Sequence, residues 1–284
     1  MTVFSGSTHP GKIRNHNEDV IGWDTDHKVW LVADGMGGHA HGEVASRLVK
    51  ETLLQGVGQG SDLLTAVSEA HAVISATATQ NSDYEGMGST VVALEVNPLG
   101  ARLVWVGDSR GYLWREGRLK LLTRDHSYLE RLLAAEHITE EEARNHPRRN
   151  IVTQILGVGE AFPDETQVPL QRGDWLILCS DGLNDELTDA EIAEQLDASN
   201  DPEVAVENLI EAALSKGGRD NISVVVVQYD GEDSEQPETA GTQALELTTE
   251  IDEVNRQSLV SEYLPFLLGG AAAILVALLF WVLK

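Results

Sequence analysis

Four aspartates share one setting in this 284-residue chain. Asp34 follows the apolar run VWLVA, Asp108 follows RLVWVG, Asp181 follows WLILCS, and Asp220 precedes NISVVVV. Each stands within three residues of a segment that reads as a buried strand. Asp19, in NHNEDVIGW, is placed similarly beside a weaker apolar run. A sheet can gather several strand ends at one edge. Carboxylates gathered there in poor solvation repel one another, and each bears a desolvation cost. Divalent cations are the simplest offset, and an all-oxygen aspartate set suits hard ions, Mg2+ or Mn2+, better than zinc. Any one of these acids alone is better read as a turn or cap residue. Four in one setting, each followed by Gly, Ser or Asn, favour the cation.

Asp34 opens a glycine-rich stretch, DGMGGHAHG. No Lys-Ser/Thr pair follows, as a phosphate-binding P-loop requires, and the G-x-G-x-x-G spacing of a dinucleotide loop fails at Ala40. The glycines instead leave room for the backbone to approach a metal, with the Gly35 carbonyl as a candidate ligand. His39 and His41 lack a neighbouring cysteine or third histidine and make a poor zinc set. Arg14 lies four residues before Glu18. A guanidinium beside an acidic site suits bidentate contact with phosphate, or else pairs with one of the acids.

The elements that position these groups are legible as alternating strand and helix signals. β-branched and aromatic residues mark strands over 28–33, 90–96, 101–106, 111–115, 174–179 and 222–228. Tight connections, NPLG and the Glu116-Gly117 pair, imply antiparallel hairpins. Helical stretches are expected over 43–56, 62–79, 127–135, 139–145, 188–197 and 202–216. Thr139 with Glu142, and Thr188 with Glu191, have capping-box spacing. Hairpins alternating with helices suggest an α+β fold of antiparallel sheets covered by helices.

The net charge of −26 argues against a general nucleic-acid binder, which would present a basic face. The single cysteine, Cys179, sits inside an apolar run, so no internal disulfide is available and a reducing compartment is expected. Residues 230–262 hold ten acids and one arginine and read as a flexible acidic tether. Residues 264–283 contain no charge, and twenty apolar residues can cross a bilayer as a helix. Tyr263 and Trp281 suit the two interfaces. No apolar core of signal-peptide length stands at the N-terminus. The expectation is a cytoplasmic domain over 1–229, a linker over 230–262 and a membrane anchor over 263–284.

Taken in order, GKIRNHNED, LVADGMGGHAHGEVAS, MGSTVVAL, VGDSRGYLWREGRL, LTRDHS, NIVTQILG, LILCSDGL and GRDNISVVVV resemble the metal-dependent protein phosphatases, the PPM or type 2C serine/threonine family, in its bacterial form. The matching segments span residues 4–229. The resemblance implies a β-sandwich of two antiparallel sheets flanked by helices, with a dinuclear Mn2+ or Mg2+ centre at one edge. It implies that Asp34 bridges two ions, that the Gly35 carbonyl, Asp181 and Asp220 complete the ligands, and that Glu18 and Asp19 hold waters of the metals. Asp108, with Asp181, matches positions for a third ion. Arg14 would hold the substrate phosphate, and residues 127–150 fall where the family has a flap.

The implied reaction is hydrolysis of phosphoserine and phosphothreonine by a metal-activated water, opposing a Ser/Thr kinase. Phosphorylated proteins, including such a kinase or its substrates, are the implied partners. Met36 departs from the eukaryotic pattern, in which a histidine serves as proton donor. A catalytically weak phosphoprotein-binding module of the same fold is the competing reading; the intact acids and Arg14 argue against it. A metal-dependent nuclease would fit the acids but lacks a basic track.

Overall fold

The computed structural model describes residues 2–37, 41–135, 138–139, 142, 146–148 and 151–234. The chain divides into two units, 1–235 and 236–284, and every described residue belongs to the first.

Two antiparallel sheets form the frame. One has the order β1 (Thr2–His9), β11 (Ile222–Tyr229), β10 (Trp175–Cys179), β7 (Arg110–Arg115), β8 (Arg118–Leu121). The other has the order β2 (Asp19–Asp24), β3 (Val29–Met36), β5 (Val91–Asn97), β6 (Gly100–Val106), β9 (Asp164–Val168), and the short β4 (Gly88–Ser89) pairs with the end of β3. Helices α1 (His41–Gly58) and α2 (Leu63–Gln80) share an apolar core with the second sheet. Helices α5 (Asp189–Asp197) and α6 (Pro202–Lys216) do the same on the first sheet. Short helices α3 (Tyr128–Ala134) and α4 (Asp181–Asn184) lie in the connections. The fold is thus the expected pair of antiparallel sheets with helices.

The six expected strands and five of the six expected helices are present, within three residues at each end. Their legibility has a cause. Trp30, Val32, Leu94, Leu103, Leu178 and Val225 fill the space between the sheets. Val29, Leu31, Ala33 and Ala93 pack on the other face under α1 and α2. A strand buried on both faces reads as a continuous apolar run. The strands not foreseen are the two-residue β4 and β1, β2, β8 and β9, and the residues of these last four alternate or are mostly polar and half-exposed. The Glu116-Gly117 turn has positive φ at both residues, 49° and 74°, as a tight hairpin requires. Thr188 and Glu191 form the reciprocal capping box at the start of α5. Thr139 and Glu142 exchange the same bonds, although most of the helix expected over 139–145 lies outside the described residues.

The anchor expected over 263–284 also lies outside them; among the described residues no helix is long and apolar enough to cross a membrane. Past Tyr229 the backbone remains bonded. Asp233 accepts from the Arg172 amide at 2.9 Å, and Ser234 exchanges bonds with Leu170. The expected tether residues 230–234 are therefore pinned to the β9–β10 connection.

Leu178 is fully buried between the sheets, on the strand that carries Asp181 beyond its end. Leu178→Ala is expected to lower stability by about 2–5 kcal/mol, measured by urea unfolding.

Candidate metal centre

Antiparallel pairing brings all the singled-out acids to one end of the sandwich. Asp19 begins β2 and pairs directly with Asp34 near the end of β3. In the other sheet the end of β10 at Cys179 lies between Val224 of β11 and Arg110 of β7. Asp181, Asp220 and Asp108 therefore emerge at the same end, because each lies two residues from one of these strand ends or from the end of β6.

Asp19 joins the two sheets. Its Oδ2 accepts hydrogen bonds from the hydroxyls of Ser180 and Ser223, each at 2.7 Å, and both serines belong to the opposite sheet. Ser180 stands at the N-cap of α4 but makes no capping bond: its hydroxyl donates to Asp19, and its oxygen accepts from the Ser223 amide at 3.0 Å. Ser223 also meets Thr8 at 2.7 Å. Asp34 is held through its backbone. Its amide donates to the Thr90 hydroxyl at 3.1 Å, and its carbonyl accepts from the Thr90 amide and the Ser89 hydroxyl. Thr90 in turn bonds Ser109 at 2.7 Å, which ties the segment of Asp108 to the same anchor.

Close backbone contacts fix the remaining positions, and two glycines make them possible. A methyl at Gly35 would stand 2.0 Å from the Gly42 carbonyl oxygen, and one at Gly182 would stand 1.9 Å from the Asn221 carbonyl oxygen. The second contact sets the backbone beside Asp181 against the backbone beside Asp220. Asn221 then clamps the 10–18 loop: its side-chain amide donates to Pro10 and His16 carbonyls, and its oxygen accepts from the Glu18 amide. The Glu18 carboxylate accepts from the Gly42 amide at the start of α1.

The electrostatics follow from this packing. Burial and the neighbouring aspartates push the Asp34 and Asp181 carboxyls well above the usual range. Asp19 is raised to about 6, mainly by burial and against its serine donors. Asp108 is raised to about 6 by burial and by the charge of Asp125. Burial raises Glu18 as well. Arg14 donates to Asp220 at 2.6 Å, and that carboxylate raises its pKa. Of the two roles open to Arg14, the structure displays the ion pair, and more than half of the side chain stays exposed.

Among the described residues no three His, Cys, Asp or Glu side chains converge into a ready ligand set. The donor chemistry nonetheless fits a hard divalent ion. Asp19 Oδ1 and Asp181 Oδ1 are buried without any hydrogen-bond partner, and all the clustered groups are oxygen donors bearing like charge. His39 lies outside the described residues. His41 stacks edge-on against Tyr84 at 5.5 Å, which gives it a packing role. Cys179 is fully buried, and burial pushes its thiol up to about 12, so it is no nucleophile. Ser180, Gly182 and Asn221 each adjoin an acid that sequence reasoning singled out. Ser223 is hidden in a valine run and Gly42 carried no signal of its own.

The model of the family described as protein phosphatase 2C matches residues 9–214. The serine/threonine protein phosphatase PstP of Mycobacterium tuberculosis is 41% identical over 240 residues, covering 80% of this chain and 45% of the relative. This chain thus spans about half the length of that protein. The serine/threonine phosphatase stp of Listeria monocytogenes is 38% identical over 237 residues, covering 78% of this chain and 94% of the relative. Among solved structures, the catalytic domain of PstP in complex with two manganese ions superposes with a TM-score of 0.73 at 36% identity, covering 80% of this chain and 97% of that one.

The raised carboxyls set a sign for stability. A group whose folded pKa exceeds its unfolded value of about 4 loses stabilisation as pH rises through the folded pKa. In chelator-treated protein, Asp34→Asn removes one such charge. It is expected to raise Tm at pH 7.5 by about 2–4 °C, the shift for about 1 kcal/mol in a domain of this size. At about pH 2.5, well below the unfolded value, the carboxyl is protonated in both states and the gain should vanish. Calorimetry at the two pH values checks this.

Proposed function

The chain belongs to the protein phosphatase 2C family, and on that premise we propose that it hydrolyses phosphoserine and phosphothreonine in proteins. The observation that carries this reading is the gathering of carboxylates from both sheets, Asp19 buried and the others partly so, with two orphaned oxygens, beside an exposed arginine. The two manganese ions of the PstP catalytic domain support a dinuclear centre here. Asp34, the Gly35 carbonyl, Asp181 and Asp220 would hold two ions, Mn2+ or Mg2+, with Asp108 and Asp181 as candidates for a third. Bound divalent ions supply Lewis acidity, making water nucleophilic near neutral pH and offsetting charge on phosphoryl oxygens.

The chain's own residues prepare the site. Ser180 and Ser223 fix the carboxylate of Asp19, and Asn221 fixes the loop that carries Arg14 and Glu18. Arg14 orients the substrate phosphate through its guanidinium fork. Its bond to Asp220 holds it at the edge of the cluster, and a phosphate competes with that carboxylate for the same donors. Met36, at the end of β3, has no proton to give, so this residue does not assist the leaving group. Cys179 is not required for chemistry.

The acidic catalytic domain is read as tied to the inner face of the cell membrane by residues 263–284, where it opposes a Ser/Thr kinase. Residues 1–229 carry −18, which fits protein substrates and not nucleic acid. Strand β11 runs away from Asp220 to Tyr229, so the chain leaves the sandwich at the end remote from the acids. A flexible tether of about 30 residues reaches roughly 30 Å, enough to concentrate the domain on substrates near the membrane.

Hydrolysis of p-nitrophenyl phosphate should require Mn2+ or Mg2+ and stop with chelator. Asp34→Asn should lower kcat at least about a hundredfold, more than loss of a supporting residue usually costs. Phosphopeptide binding without turnover would instead support the binding-module reading. Deleting residues 263–284 should move the protein from the membrane pellet to the supernatant, followed by immunoblot.

A further inference from the structure

Two apolar side chains stand exposed beside the acids. Met36 is 45% exposed and Val158 is 40% exposed, unlike the great majority of large apolar residues in this domain. The backbone places them together. Met36 lies two positions beyond Asp34 on β3, so the two side chains leave the strand on the same face. Met36 pairs with Gly88 of β4. Directly opposed residues in an antiparallel pair project to the same face, about 5 Å apart. Gly88 has no side chain, and the 155–158 segment closes over that place: a methyl at Gly88 would stand 2.9 Å from the Leu156 carbonyl oxygen, 3.2 Å from Val158 Cγ2 and 3.3 Å from Ile155 Cγ2. The arrangement is braced, because the Ser89 and Leu156 backbones exchange hydrogen bonds of 3.1 and 2.9 Å. Asp34, Met36 and Val158 therefore share one face, with an apolar step next to the acids.

From this geometry, and resting on the phosphatase reading above, we propose that Met36 and Val158 seat an aliphatic side chain of the substrate within two residues of the phosphorylated one. The occupant is argued from place and charge. A peptide whose phosphate reaches the acids and Arg14 must lay its neighbouring residues across this face. The domain's charge of −18 opposes acidic flanks, and Met36 and Val158 carry no charge to pair with a basic one, so the apolar step itself takes an uncharged side chain. Met36 thus serves selection, where a histidine at this position would serve proton transfer. The substrate class is phosphothreonine and phosphoserine segments flanked by leucine, isoleucine, valine or methionine.

The test is a set of phosphothreonine peptides in a glycine background, with leucine placed in turn at each of the two positions on either side. In the full-length Mn2+ enzyme, one placement should raise kcat/KM about tenfold over the all-glycine parent, the usual gain for one well-seated apolar group. Met36→Ser and Val158→Ser should each reduce that ratio about threefold, and together bring it below about twofold. Met36→Leu with Val158→Ile should retain it. The ratio is taken within each variant, so a general loss of activity cancels. A wild-type ratio near one at all four positions overturns the seat, as does a leucine preference that survives both serine substitutions. Absence of turnover of every peptide and of p-nitrophenyl phosphate overturns the phosphatase reading itself, and the seat with it.

Discussion

Several carboxylates are held at one end of a sandwich, where burial and mutual charge both oppose their ionisation. An isolated buried carboxylate would be protonated or would drive local rearrangement. Here the surrounding structure makes the arrangement tolerable. Serine hydroxyls donate to Asp19 from the opposite sheet, the Gly42 amide donates to Glu18, and Arg14 pairs with Asp220. Asp19 Oδ1 and Asp181 Oδ1 remain without a donor. Oxygen donors of like charge, partly satisfied and partly not, are what a hard divalent ion requires of a protein.

The sandwich is the device that brings the acids together without spending a loop on each. Antiparallel order places the ends of β3, β6 and β10 beside the starts of β2, β7 and β11. Residues just beyond those ends converge, although they lie far apart in the chain. The apolar layer between the sheets sets their separation, since Leu178 and Val225 on one side pack against Val32 and Leu94 on the other. Fine placement is left to contacts that admit no side chain. Gly35 against Gly42 and Gly182 against Asn221 allow backbone approaches that any Cβ would prevent.

Support and selectivity are built on different faces of the same elements. Behind the acids, Thr90 and Ser109 form a buried hydroxyl pair that anchors the segments of Asp34 and Asp108. In front, β3 carries Met36 onto the face of Asp34, and the missing side chain of Gly88 makes room for the 155–158 segment. One strand therefore delivers a charged group and an apolar group to the same surface, which follows from its two-residue period.

The chain's sequence by itself determined which segments are strands and helices wherever burial is strong. Val29–Met36, Trp175–Cys179 and Ile222–Tyr229 are apolar on both faces and announce themselves. It also determined that acids stand at the ends of such strands, and that short turns make the pairing antiparallel. Strands β1, β2, β8 and β9 were not legible, because a half-exposed strand has a polar face that resembles a loop. Only the tertiary structure decided which ends meet. The Asp19 bond to Ser223 spans 204 residues, and Arg14 reaches Asp220 across 206. No local pattern encodes such a contact. It arises when the two sheets bury their shared face and fix the register, and from then on each acid's neighbours are set by strand order and not by distance along the chain.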